Sequence, residues 1–352
     1  TSLGEMSMIN STTSIGNTAF GHSALYTNTT GYMNVAIGRD ALYYNTSGFD
    51  NTAVGVGTMY FSTTGLQNTS TGHYSLFNNT TGSYNVAIGN YAISGNETGS
   101  YNSAVGHSAL SSNVTGSYGT AVGMYAMRYS NNTSTPFTNY NVAVGYEALR
   151  GSTNAAANTG NNNTAVGYQT LMNNTSGHEN TAIGIFSLNT NTTGIANTAV
   201  GQNALYANTI GKWNSAFGCQ ALVKNIDGNS NTAFGLQSLW ANTSGNNNTA
   251  IGRDAMVKSK TGNNNVAVGQ DAGYNLDAGS NNVFVGYQAG YNETGSNKLY
   301  ISNSNTSTPL IYGDFSTSTL TVYNNLNINN KYTFPSVDGT SGQVLISNGA
   351  GI

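Results

Sequence analysis

Three of the four histidines, His22, His73 and His107, lie multiples of 17 residues apart, and many of the 23 tyrosines share the same spacing. Histidine titrates near neutral pH and is the commonest metal ligand, so acid–base or metal chemistry is the first reading to test. The equivalent places nearby hold Arg39, Asn90 and Met124. Histidine at so variable a place reads as surface or axial packing, not as a ligand set. The 13 acidic residues are dispersed. Asp40 and Asp254 each follow an arginine, Arg39 and Arg253, in local pairs of small energetic weight. His-x-x-x-His, Cys-x-x-Cys, Gly-x-Ser-x-Gly and phosphate-loop patterns are missing, as is the aspartate-rich nonapeptide of calcium-binding β-rolls. The expectation is a non-enzymatic protein with no catalytic residues, no metal and no cofactor.

Aromatic side chains offer binding chemistry instead. Tyr26, Tyr43 and Tyr60 begin one row at 17-residue spacing, continued by Phe77, Tyr206, Trp240, Tyr274 and Tyr291. Tyr84, Tyr101, Tyr118, Tyr140 and Trp213 form another. Such rows stack on sugar rings or pack against protein partners, and they also serve to seal one subunit against the next. Tyr26, Tyr43 and Tyr60 are the candidate ligand face. Asn-x-Ser/Thr sequons recur at Asn28, Asn45, Asn79, Asn96, Asn113, Asn174, Asn191 and Asn242. They read either as glycosylation sites or as turn chemistry, because Asn-Thr-Thr-Gly suits a tight corner.

What positions these residues is a repeat. Taking the Asn of Asn-Thr-Ala-Val-Gly as position 1, 16 copies begin between residues 17 and 282. Each step is 17 residues except 119 to 141 and 141 to 163, which are 22. Position 5 is glycine in every copy: Gly21, Gly38, Gly55, Gly89, Gly106, Gly123, Gly145, Gly167, Gly184 and Gly201 among them. Either φ is positive there or another backbone passes too close for a Cβ. Position 15 is a second glycine corner. Between the corners, positions 1 to 4 alternate as a strand does. Position 4 is apolar in 15 copies and position 3 is nearly always alanine. Positions 8 and 9, Ala/Ser and Leu/Met/Ile, suggest a second strand per coil, with Gly273 and Gly290 breaking the pattern. Frequent glycine and scarce charge argue against helices.

The spacing therefore predicts an all-β parallel β-solenoid of about 16 coils, a rod of roughly 75 Å at the usual inter-strand spacing. Position-1 asparagines would stack as an amide ladder. Position 4 is expected to face a core of larger side chains, and the alanine face to be buried against identical faces in a homotrimer. Residues 1–16 read as a lead-in, the end of an earlier coil or a cap. Residues 17–298 are the array, with five-residue insertions in the copies starting at 119 and 141. Residues 299–352 read as a C-terminal β segment.

Only 7% of the 352 residues are charged and the net charge is −3. No basic cluster is present, which argues against nucleic-acid binding. No apolar run is long enough to span a membrane as a helix. The one cysteine, Cys219, cannot form an intrachain disulfide and reads as a buried thiol. The chain opens on Thr1 without a signal-like segment, as a fragment or processed product would.

The stretches "NTAVGYQTL", "NVAIGRDAL" and "NSAVGHSAL", followed by "NNTSG" or "NTTG", resemble the YadA-like head repeats of trimeric autotransporter adhesins, also found in phage and viral tail fibres. "LYISNSNTSTPLIYGDFSTSTLTV" and "YTFPSVDGTSGQVLISNGAG" resemble fibre segments that precede an endosialidase-type intramolecular chaperone. The resemblance implies a left-handed β-roll, a homotrimer, an extracellular, cell-surface or virion location, and attachment to a host-cell receptor or glycan. Two other classes remain. An ice-binding or other self-sufficient solenoid would use the threonines of position 2 (Thr18, Thr52, Thr164, Thr181, Thr198), a row broken by Val35, Val86, Val142 and Val266. A polysaccharide-degrading solenoid would need a carboxylate pair.

Overall fold

The computed structural model describes residues 1–323, 326–328 and 332–333. It is a parallel β-solenoid in which each coil of about 17 residues contributes one three-residue strand, such as Thr18–Phe20, Val35–Ile37 and Thr52–Val54. Successive strands pair in parallel at equivalent positions, Thr18 with Val35, Ala19 with Ala36 and Phe20 with Ile37. The 22-residue copies keep that register: Val122 pairs with Val144, and Ala143 with Ala165. Their extra residues are accommodated without shifting the ladder. The chain divides into two compact units, Thr1–Asp227 and a second from Gly228 onward. In the second unit the parallel strands run from Thr232–Phe234 to Lys298–Ile301, then turn into an antiparallel meander through Ile311–Asp314 and Thr319–Val322. Of the expected C-terminal β segment, 299–352, residues 324, 325, 329–331 and 334–352 lie outside the described residues.

Residues 1–16 are a further coil of the same kind. Ser2–Leu3 pairs in parallel with Ala19 and Phe20, and Gly4, with φ +135°, repeats the corner of Gly21.

The expected second strand does not form. Positions 7, 9 and 17 instead adopt left-handed backbone in nearly every coil, as at Ser23, Leu25 and Met33 with φ of 57°, 53° and 55°. Such φ values are costly for residues with a Cβ. They persist because each N–H is tied to a neighbouring coil: Leu25 donates to Ala41 O at 3.0 Å, Asp40 to His22 O at 2.9 Å, and Met33 to Ile15 O at 3.0 Å. The alternating bonds up and down the stack replace a second ladder.

This winding inverts the expected assignment of faces. Positions 1 and 3 point into the coil; positions 2 and 4 point out. Ala19, Ala24 and Leu25 form the core of one coil, and most of their equivalents are wholly inaccessible. Position 4 is exposed: 53% at Phe20, 39% at Ile37 and 58% at Phe234. The alanine face is thus not an intersubunit surface but the interior of its own coil. The left-handed residues fold positions 6 to 12 back over the strand, and the residue at position 3 beneath the position-9 leucine is small, as at Ala19 and Ser70.

Both reasons for the position-5 glycine hold. The ten glycines from Gly21 to Gly201 named above have φ between +125° and +139°. A Cβ on Gly21 would also lie 2.6 Å from the carbonyl of Gly38. Asparagine closes the rest of the coil. Asn34 N–H donates to Asn17 Oδ1 at 2.8 Å, and Asn34 Nδ2 reaches Gly48 O at 2.8 Å. Asn45, at position 12, donates to the same Gly48 carbonyl at 3.1 Å and to Asn28 Oδ1 at 2.7 Å. Two amide ladders therefore run inside the coil.

Candidate functional site

The Tyr26, Tyr43 and Tyr60 rings stack as the spacing implies, with centroids 4.9 and 5.1 Å apart, and Phe77 continues the row at 5.3 Å. They are only half-exposed. Burial and the neighbouring Tyr26 push the Tyr43 hydroxyl above the ordinary tyrosine range, and burial with Tyr44 does the same to Tyr60. The outer aromatic surface belongs to position 11. Tyr44 meets Tyr43 and Tyr60 edge-on at 4.8 and 5.3 Å, and Phe61 meets Tyr60 and Phe77 edge-on at 4.8 and 5.2 Å. Tyr44 and Phe61 are the exposed rings. The tandem aromatics Tyr43–Tyr44 and Tyr60–Phe61 carried that signal in the sequence.

Beside Phe61 opens a cleft of about 430 Å³ lined by Tyr44, Phe61, Thr63, Asn78, Thr80 and Glu97. Its floor is fixed, because the Thr63 hydroxyl donates to Thr80 O at 3.0 Å and the Thr80 hydroxyl to Glu97 O at 2.9 Å. The cleft arises where position 11 shrinks from Tyr44 and Phe61 to Asn78 and Gly95 in successive coils.

The second tyrosine row also forms. Tyr84, Tyr101, Tyr118 and Tyr140 stack at 4.8, 5.0 and 5.4 Å and are exposed. All four have left-handed backbone. In the second unit, Tyr274 and Tyr291 stack at 4.8 Å, with the Lys258 ammonium 5.1 Å from the Tyr274 ring.

The histidines do not converge. His73 and His107, two coils apart, both lie edge-on to the Tyr91 ring between them, at 5.7 and 6.2 Å. Among the described residues no group of three or more His, Cys, Asp or Glu side chains is placed to hold a metal. Cys219 is free and half-buried, not enclosed as expected. Arg39 and Arg253 pair with Asp40 and Asp254 at 3.3 and 3.5 Å, contacts between exposed arginines and half-buried aspartates that carry little weight. One carboxylate pair escaped the sequence reading: Asp254 and Asp271 occupy position 7 of consecutive coils. Burial, opposed by Arg253 and reinforced by Asp271, raises the Asp254 carboxyl above its usual range. Asp271 accepts from Gln270 and Gln288 at 3.3 and 3.4 Å.

The sequon asparagines are buried in the position-12 ladder. Asn79, for example, donates to Gly82 O at 2.9 Å and accepts from Asn96 at 2.8 Å. In the folded coil these side chains do corner chemistry and leave no room for a glycan.

The insertions stand side by side. Asn158, in the second (149–162), donates to Tyr129 O of the first (128–140), and to Ser152 O at 2.8 Å. Among the described residues no helix is long and apolar enough to cross a membrane. No protein-family model matches the chain, and no curated protein matches it significantly.

Proposed function

We propose that this chain is part of a non-enzymatic attachment fibre, a tail-fibre shaft or adhesin head built from YadA-like repeats. It acts as a homotrimer at a cell or virion surface and engages a host-cell receptor or glycan. The observation that supports this best is the outer sheet face. In the first unit Phe20, Ile37, Ile88, Val105, Val122, Val144 and Ile183 are exposed in one row, and in the second unit Phe234, Ile251, Val268 and Val285 repeat it. An apolar row rising from each strand of an array is the kind of surface that partner chains cover. Trimerisation would place positions 2 and 4, not the alanines, between subunits. Light scattering tests it. A mass three times the 36.6 kDa chain is expected, reduced toward the monomer by Ile37→Lys with Ile88→Lys. A folded wild-type monomer would sink the trimer.

A self-sufficient solenoid, ice-binding or otherwise, is the second reading. What favours it is that position 2 lies on this same outer face, with Thr52, Thr164, Thr181 and Thr198 half-exposed. Val35, Val86, Val142 and Val266 still interrupt the row. Thermal hysteresis from a folded monomer would select it.

A further inference from the structure

We infer that the cleft beside Phe61 is a saccharide subsite that takes a neutral pyranose of a surface glycan. The inference rests on the attachment reading above and locates its binding chemistry. The Tyr44 and Phe61 rings are nearly parallel, 5.6 Å apart with 3° between their planes. Tyr44 therefore covers one side of Phe61. On the other side the next coils offer Asn78 and then Gly95. The aromatic row stops partway along the array, and the step leaves the last ring beside an open cleft of about 430 Å³, within the range of small-molecule sites.

The site is preorganised. Tyr60 and Phe77 brace Phe61 from behind by edge contacts of 4.8 and 5.2 Å, and the two threonine hydroxyls of the floor are already committed to carbonyls. A ligand pays little ordering cost in such a site. Two polar side chains remain uncommitted. Among the described residues neither the Asn78 amide nor the Glu97 carboxylate takes part in a hydrogen bond or ion pair, and both are exposed.

An aromatic ring with an amide and a carboxylate beside it suits a pyranose. The sugar's C–H face stacks on the ring, and its hydroxyls donate to the carboxylate and exchange bonds with the amide. An apolar segment would instead desolvate both polar groups without replacing their bonds to water. Glu97 is the only charged residue lining the cleft. A uronate or sialate would meet like charge there, so neutral sugars are selected.

The test is a glycan array carrying neutral hexose oligosaccharides beside sialylated and uronate-containing ones, probed with the full chain. Titration of the best neutral glycan follows, against wild type, Phe61→Ala and Glu97→Gln. Neutral glycans should bind. Affinity should fall at least tenfold in Phe61→Ala and severalfold in Glu97→Gln, with circular dichroism unchanged. Should Phe61→Ala fail to fold, Glu97→Gln and Asn78→Ala decide alone. Neutral binding unaltered by these changes, binding confined to acidic glycans, or no binding on the array by a chain that still adheres to cells would each overturn the subsite while leaving attachment standing. A chain that neither binds glycans nor adheres to cells would overturn both.

Discussion

Asn139 supplies the amide that Gly119 lacks. In regular coils the position-1 side chain accepts the N–H of the next position 1, as Asn17 does for Asn34 at 2.8 Å. Gly119 occupies that place without a side chain; its own N–H still reaches Asn102 Oδ1 at 2.9 Å. Asn139, from the first insertion, turns back into the coil, and its Oδ1 accepts the Asn141 N–H at 3.2 Å. The insertion thus repairs the ladder it interrupts.

Asn139→Ala should therefore leave the buried Asn141 N–H unpaired and cost about 1–3 kcal/mol. Gly119→Asn should be unfavourable alone, since a Cβ there lies 3.2 Å from Asn139 Nδ2, yet should restore stability in the Asn139→Ala background. A double-mutant cycle by urea unfolding reads the coupling. Additive effects would refute the repair.

The position-12 ladder breaks at Ser62. Asn28 Oδ1 accepts from Asn45, but Ser62 is too short to reach Asn45 Oδ1. Among the described residues both Asn45 Oδ1 and Ser62 Oγ are buried without a partner. Ser62→Asn should complete the ladder and stabilise by about 1 kcal/mol, seen as a higher urea midpoint at unchanged slope. The same break recurs at Ser130, beside the orphan Asn113 Oδ1.

Phe284 explains the two glycines that depart from the leucine row. It stands at position 3, where other coils have a small residue, and is wholly buried. A Cβ on Gly273 would come within 2.7 Å of its ring, and one on Gly290 would collide with it. One ring fills the space of two leucines. Phe284→Ala should cost about 3–5 kcal/mol. Gly273→Leu or Gly290→Leu alone should overpack and destabilise. The three changes together rebuild a regular coil and should recover much of the loss in calorimetry. Both glycines already have φ near +60°, the conformation leucine adopts at position 9 elsewhere.

Acid should loosen the meander that follows the last parallel strand. Lys298 Nζ lies 2.5 Å from Asp314 Oδ2, and that bond, with Ser316, lowers the Asp314 carboxyl to about 2. A carboxylate with a lowered folded-state value contributes stability that is present above its unfolded value, near 4, and is lost as pH falls through about 2. Asp314→Asn should be less stable than wild type at pH 6, with most of that difference gone at pH 2. A difference that persists undiminished at pH 2 would assign the effect to something other than this pair.

Much of the coil was legible because it depends on residue type and spacing alone. The 17-residue period determined the register of the stack. The position-5 glycine marked a place with no room for a Cβ, and the position-1 asparagine announced an amide ladder, because identical amides one coil apart must meet. The ring rows from Tyr26 and Tyr84 followed from the same arithmetic. Which face of the strand lies inside was left to the tertiary structure. Alternation separates Ala36 from Ile37 but does not say which is buried, and ordinary hydrophobicity favours the wrong one. The answer depends on the sign of φ at Asp40, Leu42 and Asp50, which residue type does not announce, since left-handed backbone is intrinsically disfavoured there and is imposed by bonds to neighbouring coils. That winding closes the coil over alanine, leaves isoleucine, valine and phenylalanine outside, and turns Tyr44 and Phe61 outward past the tyrosines the spacing had singled out.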